Sequence, residues 1–478
     1  MYFCTANIHD MEFIDRQKET DRLQTALIRE KSQFIVIYGR RRIGKSTLIK
    51  KVMDSSRGDI YFLADKTSEA SQRQLFSAAV DVSFEGFSMA SYPSWESLFV
   101  SLNRTIDHRI IVCLDEFPYL VKSCPSLPSI LQKLIDNKKL KFDLIICGSS
   151  QQMMQGFVLD SKEPLYGRAD EIIKMSPIPP AFIGQALHCD ARQAVREYAV
   201  WGGVPRYWEL RNNYGSLYAA VWNLLLTPDG TLYDEPSRLL QDEMRDTVQA
   251  SSILSFIGNG ANKLSEIAAR AERQATDITP QLSRLRELGF INKEIPFGES
   301  EKKSKKGLYH IDDPLLRFHY RYVLPYRSLI ELGNSQAVLL LFKKSENDYV
   351  SQAWEELCRN YISTQGFDDI LFQKASRWWG SYYHEEEQQY LPVELDVVAE
   401  SFDGKHLFIG ECKWQEHINA DEEFARLHTI AQGLPFAKNH EIHYGLFLKE
   451  LTTHHDTVRV LYPHDILTLP SGVALVDE

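Results

Sequence analysis

The stretch from Phe34 to Lys50, FIVIYGRRRIGKSTLIK, narrows the possible folds of this chain more than any other. Phe34, Ile35, Val36 and Ile37 run into Tyr38 as an unbroken apolar segment, which reads as a buried strand. It opens into Gly39, Arg40, Arg41, Arg42, Ile43, Gly44, Lys45 and Ser46, a G-x-x-x-x-G-K-S loop, and Thr47 begins a helix. A strand delivers the backbone to a tight turn, and glycines let main-chain N–H groups close on an anion. The helix that follows turns its positive end toward the same anion. In such a loop Lys45 reaches the β- and γ-phosphates and the Ser46 hydroxyl ligates Mg²⁺. Chance produces the pattern in roughly one chain in fifty of this length, and the strand-then-helix setting lowers that further. The segment predicts a P-loop NTPase parallel sheet that binds a nucleoside triphosphate with Mg²⁺.

Later strands supply matching chemistry. Arg109 to Asp115 (RIIVCLD) is an apolar run ending in Asp115 and Glu116, 70 residues beyond Lys45. Asp115 is placed to hold the Mg²⁺ shell and Glu116 to polarise the attacking water. Phe142 to Gly148 (FDLIICG) ends in Ser149 and Ser150. Ser149 can sense the γ-phosphate, or the serines can cap a helix starting at Gln151, and both readings stand. Arg168, in PLYGR, offers an arginine finger acting in its own subunit or a neighbour's, against the plainer role of a surface arginine. Arg206, in GGVPRY, is positioned to face the nucleotide from a lid. Phe13 to Arg16 reads either as an adenine contact or as the start of an ordinary amphipathic helix.

Taken together, GRRRIGKS, CLDEF, ICGSS, PLYGR and GGVPRY resemble the archaeal-type ATPases of the AAA+/STAND class, over roughly the first half of the chain. The resemblance implies an ATPase core over residues 1–175 and a helical lid over 176–250. The serines at 149 and 150 depart from the asparagine usual there in many such enzymes. At 478 residues, with 44% hydrophobic and 25% charged residues, the chain has the composition of a globular protein of about three or four domains. It contains no run of about 18 uncharged apolar residues, so no membrane span is expected. The N-terminus lacks a basic region followed by an apolar block, which argues against secretion. Cysteines at 4, 113, 124, 147, 189, 358 and 412 form no C-x-x-C pair and read as reduced core residues of a cytoplasmic protein.

Residues 251–330 carry the pattern of a winged helix: short helices at Ser252–Gly258 and Leu264–Arg270, then a longer one from Thr276 with Ile278, Leu282, Leu285 and Leu288 on one face. Gly289 ends it, and strand-like pieces at Phe290–Pro296 and Gly307–Ile311 flank the loop FGESEKKSKK. Between Gly260 and Ile330, 13 Lys/Arg face 9 Asp/Glu, a net of +4, leaving 41 against 56 for the rest of a chain whose totals are 54 and 65. Arg284 and Arg286 on the helix, with Lys302, Lys303, Lys305 and Lys306 at the wing tip, predict contact with double-stranded DNA. The alternative is a protein-facing hinge with a solvated charged loop. The net charge of −11 argues against a protein that coats nucleic acid with its whole surface.

Residues 331–478 hold a helix over Asp348–Gln365 containing Glu355 and Glu356, then strands at Tyr390–Glu400 and Lys405–Trp414 joined through Asp403-Gly404, a strong hairpin signal. If that dipeptide is the turn, Phe402 pairs with Lys405, Asp396 falls opposite Glu411, and Glu394 falls opposite Lys413. Period-two alternation puts all four on one face, with opposed Cβ atoms about 5 Å apart. Acids in an apolar strand are costly unless neutralised. Asp396 and Glu411, completed by Glu355, therefore read as ligands for Mg²⁺ or Mn²⁺, with Lys413 orienting water or meeting phosphate charge. The same pattern resembles the PD-(D/E)xK restriction-endonuclease-like core, and more closely the nuclease-like domain appended to archaeal-type ATPases, where RWWG and an E-x-D…ECKW pair recur. Leu395 replaces the proline usual before the first acid. Against this stands a structural pairing of acids with lysine in a degenerate domain. His384 to Glu387 reads as a solvated acidic loop, and His454-His455 as surface.

The expectation is thus a Mg²⁺-dependent ATPase coupled to a metal-dependent, DNA-associated nuclease domain, catalysis resting on Lys45, Glu116 and Arg168 at one site and Asp396, Glu411 and Lys413 at the other. The alternative is a nucleotide-switched regulator of DNA or protein binding with an inert nuclease fold. Self-association is left open.

Overall fold

The computed structural model describes residues 14–468, except 138–139, 159, 245, 301–303, 305 and 451–457. The chain forms two compact units. The first comprises the N-terminal part to Ile178 with two later segments, Val204–Arg206 and Gln241–Arg245; the second holds the remainder.

In the first unit β1 (Phe34–Tyr38), β2 (Ile60–Leu63), β3 (Ile111–Asp115), β4 (Asp143–Gly148) and β5 (Glu171–Lys174) form a parallel sheet in the order β2-β3-β4-β1-β5. Strands β1, β3 and β4 are buried throughout, which is why they read as continuous apolar runs rather than alternating ones. The register pairs Tyr38 with Gly148 and Leu114 with Ile146, so the carboxyl ends of β1, β3 and β4 emerge along one edge. Helices cover the sheet. In Trp95–Thr105, Trp95, Leu98, Phe99 and Leu102 are buried at helical spacing, and Ser94 and Ser97 form a capping box at its start. The rings of Trp95 and Phe99 both lie 5.6 Å from that of Phe76.

The second unit contains most of the region expected as a lid, including the helices Ala191–Trp201 and Leu217–Leu225. It continues through the helices Thr247–Gly258, Leu264–Arg270 and Ala275–Glu287 into an antiparallel pair, β6 (Ile291–Glu294) and β7 (Leu308–Ile311). Ile278, Leu282 and Leu285 are buried along the third helix, and Gly289 follows it at φ +73°, a conformation favouring glycine. Lys302, Lys303 and Lys305 lie outside the described residues; Lys306 pairs with Glu299 at 2.7 Å.

A 31-residue helix, Ser335–Gln365, begins earlier than its sequence pattern suggested and leads to β8 (Ser376–His384), β9 (Gln389–Glu400) and β10 (His406–Lys413). The helix Ala420–Gln432 crosses over to β11 (Glu441–Leu448), parallel to β10, and β12 (Arg459–Leu461) completes the order β12-β11-β10-β9-β8. The β9–β10 register is the one that Asp403-Gly404 dictates: Leu407 faces Glu400 and Gly410 faces Val397, with Gly404 at φ +70°. Paired residues end there. Between β8 and β9 the register shifts from Ser376–Val398 to Trp378–Leu395, inserting an extra residue into β9 around Asp396. Such bulges re-aim a side chain.

Cys113, Cys124, Cys147, Cys189, Cys358 and Cys412 are free thiols. Among the described residues no helix is long and apolar enough to cross a membrane. His384 to Glu387 closes the β8–β9 hairpin with its three glutamates exposed, while His454 and His455 fall outside the described residues.

Candidate functional sites

The loop from Gly39 to Gly44 leaves β1 and enters the helix Lys45–Val52, whose first turn carries Ser46 and Thr47. Gly44 sits at φ +96° and Arg42 at φ +65°. A Cβ on Gly39 would meet the Met175 carbonyl oxygen at 2.5 Å, so this position admits only glycine. Lys45 is buried, and its Nζ donates to the carbonyls of Gly39 (2.9 Å) and Arg40 (3.0 Å). Ser46 Oγ donates to Asp115 Oδ2 at 2.7 Å, which brings together the two oxygens expected to serve Mg²⁺. Tyr61, from β2, donates its hydroxyl to the same carboxylate oxygen, and burial together with Asp115 pushes its phenol up.

Glu116 lies at φ +52°, a strained conformation for a residue with a side chain. Its Oε2 accepts from Ser149 Oγ (3.0 Å) and Ser149 N–H (3.3 Å). Of the two serines, Ser150 Oγ meets the start of the helix Gln151–Val158, as the capping reading expects, while Ser149 bonds to Glu116. That helix start is also capped by the Glu243 carboxylate, which accepts from Gln151 and Gln152 N–H at 2.9 and 3.2 Å. Asp242 beside it pairs with Arg41 of the loop at 3.0 Å. Arg16, 4% exposed, donates to the carbonyls of Ile43 (3.3 Å) and Ser176 (2.8 Å), so it braces the loop. Tyr61, Asp242 and Glu243 carried no signal in the sequence, because their neighbours lie 54 to 201 positions away.

Arg168 requires a correction. It precedes β5, whose Glu171 pairs with Ile35 near the beginning of β1, so it lies at the sheet edge opposite the phosphate loop. There two of its three guanidinium nitrogens grip Asp136, at 2.8 and 2.9 Å. A finger acting on its own chain's nucleotide does not fit this placement. Arg206 is exposed in the first turn of the helix Pro205–Asn212.

The second site lies where β9, β10 and the long helix meet. Asp396 Oδ2 accepts the Cys412 N–H at 2.9 Å, tying the bulge back to β10. Burial, then the neighbouring Glu355, pushes its carboxyl up to about 6. Glu411, 6% exposed, is raised by burial and by Asp396. Glu411 Oε1 meets Lys413 Nζ and Arg426, each at 2.7 Å, while Glu411 Oε2 is buried with no hydrogen-bond partner. Glu355 is also raised, first by burial, and stands 3.7 Å from Arg359, which donates to the Asp396 carbonyl at 3.0 Å. The expected Glu394–Lys413 pairing does not form. The ladder ends at Val397 and Gly410, and Glu394 turns instead to Arg377. The three expected metal ligands do not gather either: among the described residues, only His406, Glu441 and His443 bring three such ligand atoms within 4.8 Å of one another. Arg426 was missed, since a helix after the hairpin names no contact in advance.

Beside this site is a cleft of about 560 Å³, lined in part by Glu294, Glu355, Glu356, Arg359 and Arg377. Glu294, from β6, lies 3.5 Å from Arg359 and 3.6 Å from Arg377. Burial works to raise it, but His310 and the two arginines hold it down to about 2. The Phe297 N–H donates to the Arg377 carbonyl at 2.9 Å and its ring lies 5.5 Å from that of Phe436, so the β6–β7 hairpin is docked on the C-terminal sheet.

The first unit thus defines a P-loop ATPase of AAA+-like build. Residues 13–181 match a family described as an ATPase domain predominantly from Archaea, and residues 319–425 match one described as archaeal and bacterial proteins of unknown function. An uncharacterized protein of Methanocaldococcus jannaschii is 31% identical over 422 residues, covering 86% of this chain and 89% of that one. The chain therefore belongs to the same family as that protein, and its residues 13–181 carry the archaeal-type ATPase domain. A shorter protein of the same organism, described as an uncharacterized ATP-binding protein, is 38% identical over 45 residues, 9% of this chain and 76% of its own length. The Walker-type ATPase of Pyrococcus abyssi shares the fold, with a TM-score of 0.51 at 19% identity, over 64% of this chain and 95% of its own.

Proposed function

We propose that this ATPase uses its nucleotide cycle to control a phosphodiester-cleaving site in its C-terminal sheet, acting on double-stranded DNA. At the first site ATP binding draws Lys45 from two neutral carbonyls onto the β- and γ-phosphates. Ser46 and Asp115 would hold Mg²⁺, which supplies charge neutralisation on the phosphates. Glu116 orients the attacking water, with Ser149 setting the direction of its carboxylate.

The observation that carries the cleavage reading is the buried, unpartnered Oε2 of Glu411, one strand away from an aspartate whose acid form burial favours. Buried carboxylate oxygens without a donor are costly, and a cation is what such an oxygen accepts. Asp396 and Glu411, with Glu355 drawn toward them by the cation, would hold Mg²⁺ or Mn²⁺, which would supply a bound water acidic enough to act as nucleophile near neutral pH. Lys413 meets negative charge on the phosphate, and Arg359 steadies the bulge that aims Asp396. The helix order, the wing and the local excess of Lys/Arg support DNA as the substrate.

The test is plasmid nicking with Mg²⁺ or Mn²⁺, with and without ATP. Cleavage lost on Lys413→Ala and on Asp396→Asn supports the proposal; wild-type protein inert under all four conditions overturns it. One observation favours the second reading, a nucleotide-switched binding protein with an inactive sheet domain: Lys413 and Arg426 already neutralise Glu411, and the three acids do not converge. Under that reading ATP changes DNA retention with no cleavage at all.

A further inference from the structure

At the other end of β10 from Glu411 three side chains converge with no role in either site. His406 opens β10, and the parallel register places Glu441 of β11 beside it. His443 follows Glu441 by two residues, so period-two alternation puts both on the face that His406 shares. His406 Nδ1 lies 3.1 Å from His443 Nε2 and 3.5 Å from Glu441 Oε2, and all three donor atoms fall within 4.8 Å of one another.

These separations have a chemical meaning. With bonds of about 2.0–2.1 Å, a tetrahedral ion spaces its donors about 3.3 Å apart. The two distances fall on either side of that value. A hydrogen bond between the imidazoles explains the shorter contact alone. If Nδ1 is the acceptor in that bond, its one lone pair is spent on His443, and the Glu441 carboxylate 3.5 Å away meets no N–H from that ring nitrogen. A cation at the centre satisfies all three lone pairs at once. Two imidazoles and one carboxylate suit a borderline transition ion rather than Mg²⁺ or Ca²⁺, which prefer oxygen. The side chain of Glu441 is 70% exposed and that of His406 23% exposed, which leaves a path for the ion and its water.

We propose that His406, His443 and Glu441 form a transition-metal site of the zinc class, with three protein donors and a fourth position open to water. It ties the beginnings of β10 and β11 together, beside the turn that sets the β9–β10 register. The site is separate from Asp396 and Glu411, and the inference stands whether or not that acid pair cleaves anything.

The experiment titrates chelator-stripped full-length protein with Zn²⁺ by calorimetry and with Co²⁺ by visible absorption. One equivalent is expected to bind, and Co²⁺ to give the intense bands of tetrahedral coordination. That equivalent should be lost in His443→Ala and in the milder His406→Gln, weakened in Glu441→Gln, and kept in Asp396→Asn. Near-ultraviolet circular dichroism and the chemical-denaturation midpoint of each variant report that the C-terminal sheet has folded. Unchanged zinc stoichiometry in both histidine variants overturns the site, as does zinc binding that disappears only with Asp396→Asn.

Discussion

The two acid-bearing sites of this chain commit their lysines in opposite ways. In the ATPase unit Lys45 rests on two neutral carbonyls, and the carboxylate nearby, Asp115, is served by the hydroxyls of Ser46 and Tyr61. In the C-terminal sheet Lys413 sits directly on Glu411, and Arg426 shares the same oxygen. A phosphate arriving at the first site exchanges neutral hydrogen bonds for charged ones, a favourable trade. A phosphate arriving at the second must first part a buried ion pair, unless a divalent cation takes over Glu411 and releases the lysine. The first site is therefore poised for a phosphate, whereas the second, on the proposed cleavage reading, needs a cation before one.

The largest expected effect tests the first half of that contrast. Lys45→Ala should lower ATP turnover by about 10³-fold, the scale of losing a preorganised group at developing charge. Turnover within tenfold of wild type would mean that this lysine is not the one released to phosphate. Glu116→Gln should cost about 10²–10³-fold in turnover while nucleotide-analogue affinity is retained. Ser149→Ala, which frees the Glu116 carboxylate to wander, should cost about tenfold. If Ser149→Ala weakens binding instead of turnover, the serine contacts nucleotide and not the glutamate.

The second half of the contrast concerns how tightly the C-terminal region locks its charges. Glu294 pairs with Arg359 and Arg377 from a largely buried position, so Glu294→Ala leaves Arg359 only Glu355 and Arg377 only Glu394, and should cost about 2 kcal/mol in chemical denaturation. The pH dependence has a definite sign. Its folded pKa of about 2 lies below the ordinary 4.5, so the stabilisation is complete above pH 4.5 and is lost as pH falls through 2. Wild-type stability should fall across that window by more than that of the variant. Equal slopes would show that the arginines are screened by water and that the cleft is looser than its geometry.

Much of the first site's geometry was legible because it is contiguous: one strand, one loop and one helix start carry the groups expected to meet phosphate, and local backbone rules connect them. Asp115 and Glu116 were legible because a parallel sheet brings strand ends together on one edge. What could not be read were contacts made by tertiary packing, such as Glu243 capping a helix 92 residues earlier and Arg16 bracing Ile43. Arg168 was open to a finger role only because nothing in PLYGR reveals Asp136 waiting beside it. In the sheet domain the hairpin register followed from two turn residues, yet the facing of Glu394 and Lys413 did not, since an extra residue in β9 interrupts the alternation that an ideal strand assumes.

The smallest expected effect falls on that turn. Gly404 stands at φ +70°, where an added Cβ meets no backbone and approaches only the Glu400 carboxylate at 3.9 Å. Gly404→Ala should therefore cost about 1 kcal/mol, from backbone conformation alone. Because the turn sets which residues face each other as far as Val397 and Gly410, a mild loss of stability with Asp396 still accepting the Cys412 N–H would show that the bulge holds the acid in place. A strand slipped by one position would instead carry Glu411 to the opposite face, and plasmid nicking, where the wild type shows it, would vanish with a destabilisation too small to explain the loss. The size of the stability change against that of the activity change thus separates a site held by its register from one held by its bulge.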